Sequence, residues 1–384
     1  MRLAIAGSGK IVREALPVLS GIPEIQVKAL WVREHSLENG KALAEQYGRT
    51  AGGRRETLED AGAGRAVGGR PGVPGTQAAD QTVVPEVLTD YSKMLRLPDI
   101  DAVYIGLVNT AHFSFAKEAL LAGKHVIVEK PLTVTLGEAQ ELMNLAQERS
   151  LCVLEGMTLL YGRMLPQMRR MMKKIGQVRL CTGNYSQYSS RYDDYRRGIV
   201  KPAFDPDLAG GALMDINIYN LALTEALFGM PQRAQYFANR GFNGVDTSGT
   251  AVLTYPGFQV SLSGAKDCDG ESGMIIQGEE GMVCLRGKPN MPERLECVLR
   301  GTAPESTGPE GSVPGPGGPE DAGPRVIALG DGSHRMKPEF AEFARIIDCR
   351  DHAAAQEAMA HSLAVMRIVD MMNSDRMGGV FTVR

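Results

Sequence analysis

Val126-Ile127-Val128-Glu129-Lys130-Pro131 is the stretch that decides the fold of this chain. Its apolar residues are β-branched and predict a short buried strand, which the charged pair and the proline end. In an open parallel sheet, the carboxyl ends of the strands face the ligand crevice. Packing does not explain a glutamate and a lysine at that position, whereas the chemistry of a bound ligand does. Lys130 is therefore the first candidate for a catalytic residue, and the alternative is a solvated loop lysine.

A second strand, at residues 2 to 6, runs into Gly7-Ser8-Gly9-Lys10-Ile11-Val12, after which helical spacing begins. This order predicts a dinucleotide-binding turn. Gly7 allows the tight turn, and Gly9 lets the backbone amides at the helix amino end approach a pyrophosphate. Val12 stands where a third small residue would let helix and strand pack closely. The candidate cofactor contacts are Gly7, Ser8, Gly9, Lys10 and Ile11.

The strand at about Gln26 to Val32 ends at Arg33-Glu34. An acid at the end of this strand accepts a hydrogen bond from the ribose 2′-hydroxyl, whereas an arginine offers a fork of donors to a 2′-phosphate. Arg33 therefore favours NADP, while Glu34 keeps NAD as the alternative.

A further strand, Ala102 to Leu107, leads to Asn109 and His112 at the start of a helix that ends near Gly123. The alternation of strand and helix predicts a parallel, doubly wound sheet. Asn109 and His112 either contact the nicotinamide or the substrate, or they cap backbone amides. We favour contact for Asn109, and we expect both residues to line the same crevice as Lys130.

After about residue 155 the pattern changes to strands of alternating character, at 178–185, 251–255, 259–263, 273–277 and 282–285. They predict a large, predominantly antiparallel sheet. We therefore expect an N-terminal Rossmann domain at 1–155 that binds NAD(P). An α+β domain would follow at 156–384, with its C-terminal helices packing back on the core.

Within the second domain, Ala212 to Phe228 predicts one helix, on which Asp215 and Tyr219 are four residues apart and share a face. An acid and a phenol on an otherwise apolar helix are costly to bury without a partner or a task. The alternative is a Tyr-Asp pair that satisfies itself in the core.

Two segments, 51–83 and 302–324, are rich in glycine and proline and lack hydrophobic periodicity. Such segments do not bury enough apolar surface to offset their ordering entropy, so we expect both to be disordered insertions.

The overall composition excludes several classes of protein. A net charge of -3 and the lack of a basic run with interleaved aromatics argue against a nucleic-acid partner. No apolar segment is long enough to cross a bilayer, and the first strand begins at once, which predicts a cytoplasmic protein without a membrane partner. Six scattered cysteines and six scattered histidines predict neither a disulfide framework nor a metal site.

Together these pieces resemble the Gfo/Idh/MocA family of NAD(P)-dependent oxidoreductases. The residues that carry the resemblance are Gly7-Ser8-Gly9, Asp99-Ile100-Asp101-Ala102-Val103, Ala122-Gly123-Lys124-His125-Val126 with Glu129-Lys130-Pro131, and Gly210-Gly211 followed by Asp215 and Tyr219. A tyrosine where many members carry histidine looks most like the dimeric dihydrodiol and D-xylose dehydrogenase branch. Asn217 departs from the family pattern, since it replaces a glycine between the acid and the aromatic residue.

The resemblance implies reversible hydride transfer between NAD(P) and a hydroxyl-bearing carbon of a sugar, a cyclic polyol or a trans-dihydrodiol. Tyr219 would exchange the proton, Lys130 would lower the pKa of that phenol and bind the reacting oxygen, and Asp215 would orient Lys130 or a substrate hydroxyl. Lys130 as the proton carrier is the variant of this scheme, and Glu129 joins the predicted cofactor contacts. The resemblance further implies that the domain at 156–384 binds substrate and forms a homodimer or homotetramer through its sheet. Two alternatives remain open: an NAD-dependent glycosidase of the same fold, and a dinucleotide-binding sensor without enzymatic activity.

Overall fold

The computed structural model describes residues 1–62, 84–300, 325–330 and 332–375. The chain forms two compact units that are not contiguous in sequence. The predicted domain boundary at 155/156 stays a prediction. Unit 1 comprises Met1–Glu129, Glu141–Gly156 and Met336–Gln356, and unit 2 comprises Lys130–Gln140, Met157–Arg335 and Glu357–Arg384.

Unit 1 contains a six-stranded sheet in which every pair of neighbouring strands is parallel. The strand order is β3-β2-β1-β4-β5-β6, which is that of a Rossmann sheet. The predicted parallel, doubly wound sheet is therefore confirmed. Its strands are β1 (Arg2–Ala6), β2 (Gln26–Trp31), β3 (Glu86–Leu88), β4 (Ala102–Ile105), β5 (His125–Glu129) and β6 (Val153–Gly156).

The central strands of this sheet are buried on both faces, which explains their continuous apolar runs. Leu3, Val103 and Ile127 have no exposed surface. The helices that alternate with the strands along the chain are α1 (Lys10–Leu19), α2 (Leu37–Gly62), α3 (Tyr91–Leu95), α4 (His112–Leu121) and α5 (Leu136–Arg149).

Helix α2 corrects one expectation from the sequence. It continues past residue 50 to Gly62, although a disordered insertion was expected from residue 51 onward. The segment contains alanine, arginine, glutamate and leucine, which have high helix propensity. This propensity extends α2 although the segment has no apolar stripe. The rest of that insertion, 63–83, and the insertion expected at 302–324 lie outside the described residues.

Unit 2 contains an eight-stranded sheet in the order β14-β13-β12-β11-β7-β10-β9-β8. Neighbouring strands are antiparallel except for the parallel pair β7 and β10, so the predicted, predominantly antiparallel sheet is confirmed. The sequence did not predict the three strands at Arg233–Arg240, Met291–Leu299 and Arg325–Ala328. The strands are β7 (Val178–Ser186), β8 (Arg233–Arg240), β9 (Asp246–Tyr255), β10 (Phe258–Ala265), β11 (Gly273–Gly278), β12 (Gly281–Lys288), β13 (Met291–Leu299) and β14 (Arg325–Ala328).

One face of this sheet forms the core of unit 2 together with an apolar helix. Ile218, Leu221 and Leu223 of that helix are fully buried, as expected of a helix that is apolar on all sides. The remaining helices are α6 (Met164–Met172), α7 (Tyr192–Arg196), the apolar helix α8 (Ile218–Phe228), α9 (Lys337–Asp348) and α10 (His352–Asp375).

The segment predicted as one helix from Ala212 to Phe228 has a different beginning. Leu213–Asn217 form a π-helical turn, and the α-helix α8 starts only at Ile218. Such turns hold one extra residue and occur often at functional sites. Asp215 lies in this turn, where a prediction from helical spacing alone does not place it.

Candidate active site

The glycine turn after β1 has the backbone that a pyrophosphate site needs. Gly7 has a φ of 126°, and a Cβ on it would lie 2.5 Å from the carbonyl oxygen of Gly106. Gly9 is the extended N-cap residue of α1, and a Cβ on it would meet no described atom within 4 Å. The first turn of α1 carries no acidic side chain, so its unpaired backbone amides are open to an anion. These features fit the predicted dinucleotide.

Val12 fits against the sheet because the small residue is supplied by the neighbouring strand. Val12 is fully buried, and a Cβ on Gly106 would lie 2.7 Å from its Cγ2 atom. Gly106, directly after β4, therefore does what the missing third glycine of the turn would do. Sequence reasoning did not identify it, since this compensation depends on the pairing of β1 with β4.

The turn is also held from the side by Asn39 on α2, another residue that the sequence did not reveal. Its side-chain amide donates to the carbonyl oxygen of Ser8 at 3.2 Å and accepts from Arg13 at 3.2 Å. The predicted contacts Lys10 and Ile11 occupy the first turn of α1, where Lys10 is exposed.

Arg33 follows β2 with an extended backbone and an exposed side chain, just before a 3₁₀ turn at Glu34–Ser36. Its guanidinium is thus open to a ligand at the end of the second strand. This is the position at which a Rossmann domain distinguishes a 2′-phosphate from a 2′-hydroxyl.

The two residues predicted as contacts after β4, Asn109 and His112, differ in solvent exposure. Asn109 begins a 3₁₀ turn, Asn109–Ala111, and is partly exposed. His112 is fully buried at the start of α4, and its Nε2 atom lies 3.3 Å from the carbonyl oxygen of Leu107. That contact gives His112 a structural partner. Cofactor contact by either residue, and a crevice shared with Lys130, stay predictions.

Glu129 ends β5 and is buried at 8% exposure. Its carboxylate accepts a hydrogen bond of 2.7 Å from the Tyr104 hydroxyl on the adjacent strand, which compensates part of the cost of burying the acid. Glu129 therefore has a packing role that the sequence did not indicate. Its predicted cofactor contact stays a prediction.

In unit 2, the structure brings the three predicted catalytic residues together. The Lys130 ammonium donates to the main-chain carbonyl of Asp215 at 2.7 Å and to its Oδ1 atom at 3.0 Å. The same ammonium lies 5.0 Å from the centre of the Tyr219 ring. Lys130 is 14% exposed and Asp215 is 38% exposed, so the cluster is sheltered but open on one side.

A second lysine completes this cluster. Lys266 is 1% exposed, and its ammonium lies 2.8 Å from the other carboxylate oxygen of Asp215, Oδ2. Burial alone would raise the pKa of Asp215, but the two ammonium groups hold it well below the usual range of an aspartate. Burial lowers the pKa of Lys266, and Asp215 opposes that shift. No motif marks Lys266 in the sequence.

The π-turn that carries Asp215 is fixed at its beginning by an aspartate from β9. The Oδ2 atom of Asp246 accepts from the backbone amide of Leu213 at 2.7 Å and from the Tyr236 hydroxyl at 2.7 Å. Asp246 thus supplies the cap that this turn lacks in its own sequence.

Asn217, at the end of the turn, is held against β10. Its side-chain amide donates to the carbonyl oxygen of Leu262 at 3.0 Å and accepts from Asn220 at 2.8 Å. A Cβ on Gly264 would lie 2.7 Å from that of Asn217, so a glycine on β10 makes room for it. The departure noted in the sequence is therefore accommodated by the opposite strand.

Both parts of the chain match models of known protein families. Residues 69–157 match the model described as oxidoreductase family, NAD-binding Rossmann fold, and residues 167–284 match the GFO/IDH/MocA C-terminal domain. The two matches together cover more than half of the chain. This protein belongs to the Gfo/Idh/MocA oxidoreductase family. The prediction from the sequence motifs is confirmed.

Two curated members of the family illustrate the similarity. The chain is 35% identical over 212 residues to scyllo-inositol 2-dehydrogenase (NADP(+)) from Bacillus subtilis, covering 55% of this chain and 64% of that enzyme. It is 28% identical over 205 residues to human trans-1,2-dihydrobenzene-1,2-diol dehydrogenase, covering 50% of this chain and 59% of that enzyme. In both comparisons the chain spans less than two thirds of the relative's length.

Among solved structures of the family's fold is a 3-ketoreductase from Actinomadura kijaniata in complex with NADP and TDP-benzene. It superimposes with a TM-score of 0.70 at 20% identity and covers 97% of each chain. At this identity the comparison supports the fold alone.

Two further properties concern the described residues only. None of their helices is both long enough and apolar enough to span a membrane. Within the same residues, His, Cys, Asp and Glu side chains form no group of three or more that could hold a metal ion.

Proposed function

We propose that this protein is an oxidoreductase that transfers a hydride between a nicotinamide dinucleotide and a hydroxyl-bearing carbon of a cyclic polyol or sugar. The observation that carries the proposal is the position of the Lys130 ammonium, which lies 3.0 Å from the Asp215 carboxylate and 5.0 Å from the centre of the Tyr219 ring. The inositol and dihydrodiol dehydrogenases among its relatives act on substrates of the same chemical class.

Oxidation of an alcohol to a carbonyl releases one hydride and one proton. When bound, the nicotinamide accepts the hydride. The chain itself has to take the proton, because a free alkoxide is a very poor intermediate at neutral pH. Tyr219, ionised to its phenolate, would take it and become the neutral phenol, while Lys130 would donate a hydrogen bond to the reacting oxygen and stabilise negative charge there.

Asp215 would keep Lys130 in place for that task. It binds the ammonium through two oxygens, one from its main chain and one from its side chain. Because its pKa is held low, the carboxylate stays charged over the whole neutral range and does not itself exchange a proton with the substrate.

The cofactor would be held by the first domain, and NADP is favoured over NAD. Gly7 and Gly9 provide the close backbone approach, and the amides at the start of α1 provide donors for the pyrophosphate. Exposed Arg33 would bind a 2′-phosphate with paired donors.

The proposal is tested by a screen of inositols, simple sugars and trans-dihydrodiols with NAD and with NADP, followed by the absorbance of the reduced nicotinamide. We expect reduction of NADP with at least one polyol. Tight dinucleotide binding without reduction by any of these compounds would favour a sensor instead. Cleavage of aryl glycosides at constant nicotinamide absorbance would favour a glycosidase.

We further propose a homodimer or homotetramer formed through the eight-stranded sheet. Along β10, Val260 and Leu262 are buried while Ser261 and Ser263 are partly exposed, and Leu180 on the neighbouring β7 is 52% exposed. A partly apolar sheet face of this kind is suited to pairing with a second copy. Light scattering during gel filtration tests this, and a monomer at micromolar concentration would contradict it.

A reducing, cytoplasmic location is proposed on the basis of the cysteines. All six are free thiols, and four of them are buried as small apolar side chains.

A further inference from the structure

Lys266 is a buried cation that the proposed chemistry does not use. It follows β10 directly, and its ammonium contacts Asp215 Oδ2, the carbonyl oxygen of Ala203 and the face of the Phe204 ring, whose centre is 4.5 Å away. With 1% of its surface exposed, it is sheltered from solvent and has no surface on which to meet a substrate.

The backbone of Lys266 is fixed on both sides. Its amide donates to the carbonyl oxygen of Thr247 on β9 at 2.8 Å, and its own carbonyl accepts from the amide of Ser189 at 2.9 Å. The ammonium is therefore presented to Asp215 by a rigid strand end and not by a mobile loop.

A lysine in such a place is costly for the folded state. Desolvation of a buried ammonium group costs on the order of several kcal/mol, and attraction to a nearby carboxylate offsets only part of that free energy. Asp215 already binds Lys130, so a single carboxylate faces two ammonium groups, and the further acid that acts on Lys266 is Asp246. An apolar residue would fill the same space without this cost.

We infer that Lys266 is a positioning residue of the active site: it fixes the Asp215 carboxylate for Lys130 and adds a second positive charge to the cluster that contains Tyr219. The inference rests on the proposed function and deepens it. One carboxylate oxygen is assigned to each lysine, so Asp215 cannot rotate without losing a charged hydrogen bond.

The same ammonium also ties the preceding loop to the site. The carbonyl oxygen of Ala203 accepts from Lys266 and from the backbone amide of Gly211, the latter at 3.1 Å. Gly211 in turn accepts from the amide of Asp215 at 3.2 Å. Removing Lys266 should therefore loosen Asp215 from two directions, through its carboxylate and through its backbone.

The test compares Lys266→Met and Lys266→Gln with the wild type, using the polyol and cofactor found in the screen. We expect kcat to fall by about 10-fold or more, with KM changed by less than about threefold, because the residue does not contact the substrate. The pH profile of kcat/KM reports the pKa of the general base. That pKa should rise by about one unit, since one of two nearby cations is lost. Lys173→Met removes an exposed lysine of the same unit and should change neither quantity.

A purely structural role predicts a different result. In that case kcat would fall, or the melting temperature would fall, without a change in the pH profile, and the inference would be overturned. Unchanged kcat in a folded variant would overturn it as well. If Lys266→Met does not fold, Lys266→Gln carries the test, since its side chain is polar and keeps hydrogen-bond donors without the charge.

A measurement without turnover separates this inference from the proposed function. In ¹³C NMR, the Asp215 carboxyl of the wild type should keep the chemical shift of the ionised form down to about pH 4, whereas in Lys266→Gln it should titrate at higher pH than in the wild type. Identical titration in both proteins would reject the coupling. Failure of the wild type to reduce any nicotinamide would reject the proposed function alone.

Discussion

The two candidate sites of this protein are built in different ways. The dinucleotide turn of unit 1 consists of backbone: glycines at Gly7 and Gly9 and the amides of α1, within ten consecutive residues. The ionic cluster of unit 2 consists of side chains, and Lys130, Asp215 and Lys266 are far apart in sequence. A backbone site can be recognised from a short motif. The residues of a side-chain site can be identified only once the fold is known.

This difference predicts how each site should fail. The backbone site should be sensitive to an added Cβ atom and tolerant of most side-chain changes. The ionic cluster should be sensitive to the loss of a single charge. The following variants test this contrast.

The largest effect is expected for Lys130→Met. Turnover should fall on the order of 10²-fold or more, because the hydrogen bond to the reacting oxygen and the positive charge are both lost, while cofactor affinity changes much less. Steady-state rates and cofactor titration by fluorescence measure the two quantities. Lys117→Met is the control, since it removes a lysine from an exposed ion pair with Glu141, which contributes little. Unchanged turnover in Lys130→Met would refute the assignment.

Gly7→Ala should have the next largest effect, with cofactor affinity reduced about 10- to 100-fold. The substitution places a Cβ at a φ of 126° and 2.5 Å from a backbone oxygen, so the turn has to move. Gly123→Ala is a matched control: its φ is also positive, at 76°, but a Cβ there would meet no described atom within 4 Å. It should lower stability by about 1 kcal/mol without weakening cofactor binding. Equal cofactor affinities in the two variants would contradict a backbone-built site.

Arg33→Ala should reduce affinity for NADP by about 10-fold and leave affinity for NAD nearly unchanged, because only NADP carries the 2′-phosphate. The effect should shrink at high salt, since the arginine is exposed. Binding titrations with both cofactors at two ionic strengths measure it, with exposed Arg96→Ala as the control. An equal loss for both cofactors would show that Arg33 does not select between them.

The smallest effect on turnover is expected for a buried contact between a glutamate and a histidine of unit 2, outside the cluster. Glu225 on α8 lies 3.1 Å from the Nε2 atom of His361, and burial raises the pKa of Glu225 to about 7. A raised pKa means that the folded state binds the proton more tightly than the unfolded state. This contribution to stability is full below the ordinary pKa near 4.5 and is lost as the pH rises through about 7.

Glu225→Gln should therefore gain stability relative to the wild type as the pH rises from about 4.5 to 7, by on the order of 1–3 kcal/mol. Urea unfolding at several pH values measures the difference between the two proteins, and turnover should be unchanged. The opposite sign, or a difference independent of pH, would show that the carboxyl is ionised in the folded state throughout.

Much of this protein could be predicted from its sequence because the relevant signals are local. Strand β5 with Glu129-Lys130-Pro131, the glycine turn at Gly7 and the alternation of helix and strand predicted the Rossmann sheet. Alternating strands predicted the second sheet. The same motifs indicated the family, and with it the candidate residues Lys130, Asp215 and Tyr219.

Other features depend on partners from distant segments, and no local pattern announces them. The π-turn at Leu213–Asn217 is held by Asp246 and by the backbone of β10, so helical spacing alone predicted a regular helix there. Gly106 compensates for Val12 only because β1 pairs with β4.

By itself, the sequence determined the two sheets, the glycine turn and the identity of three candidate catalytic side chains, since these follow from periodicity and from motifs a few residues long. Only the tertiary structure decided that Asp215 is shared between two lysines and that Lys266 is one of them. The physical reason is that a buried charge is defined by what surrounds it, and its surroundings come from strands that are distant along the chain.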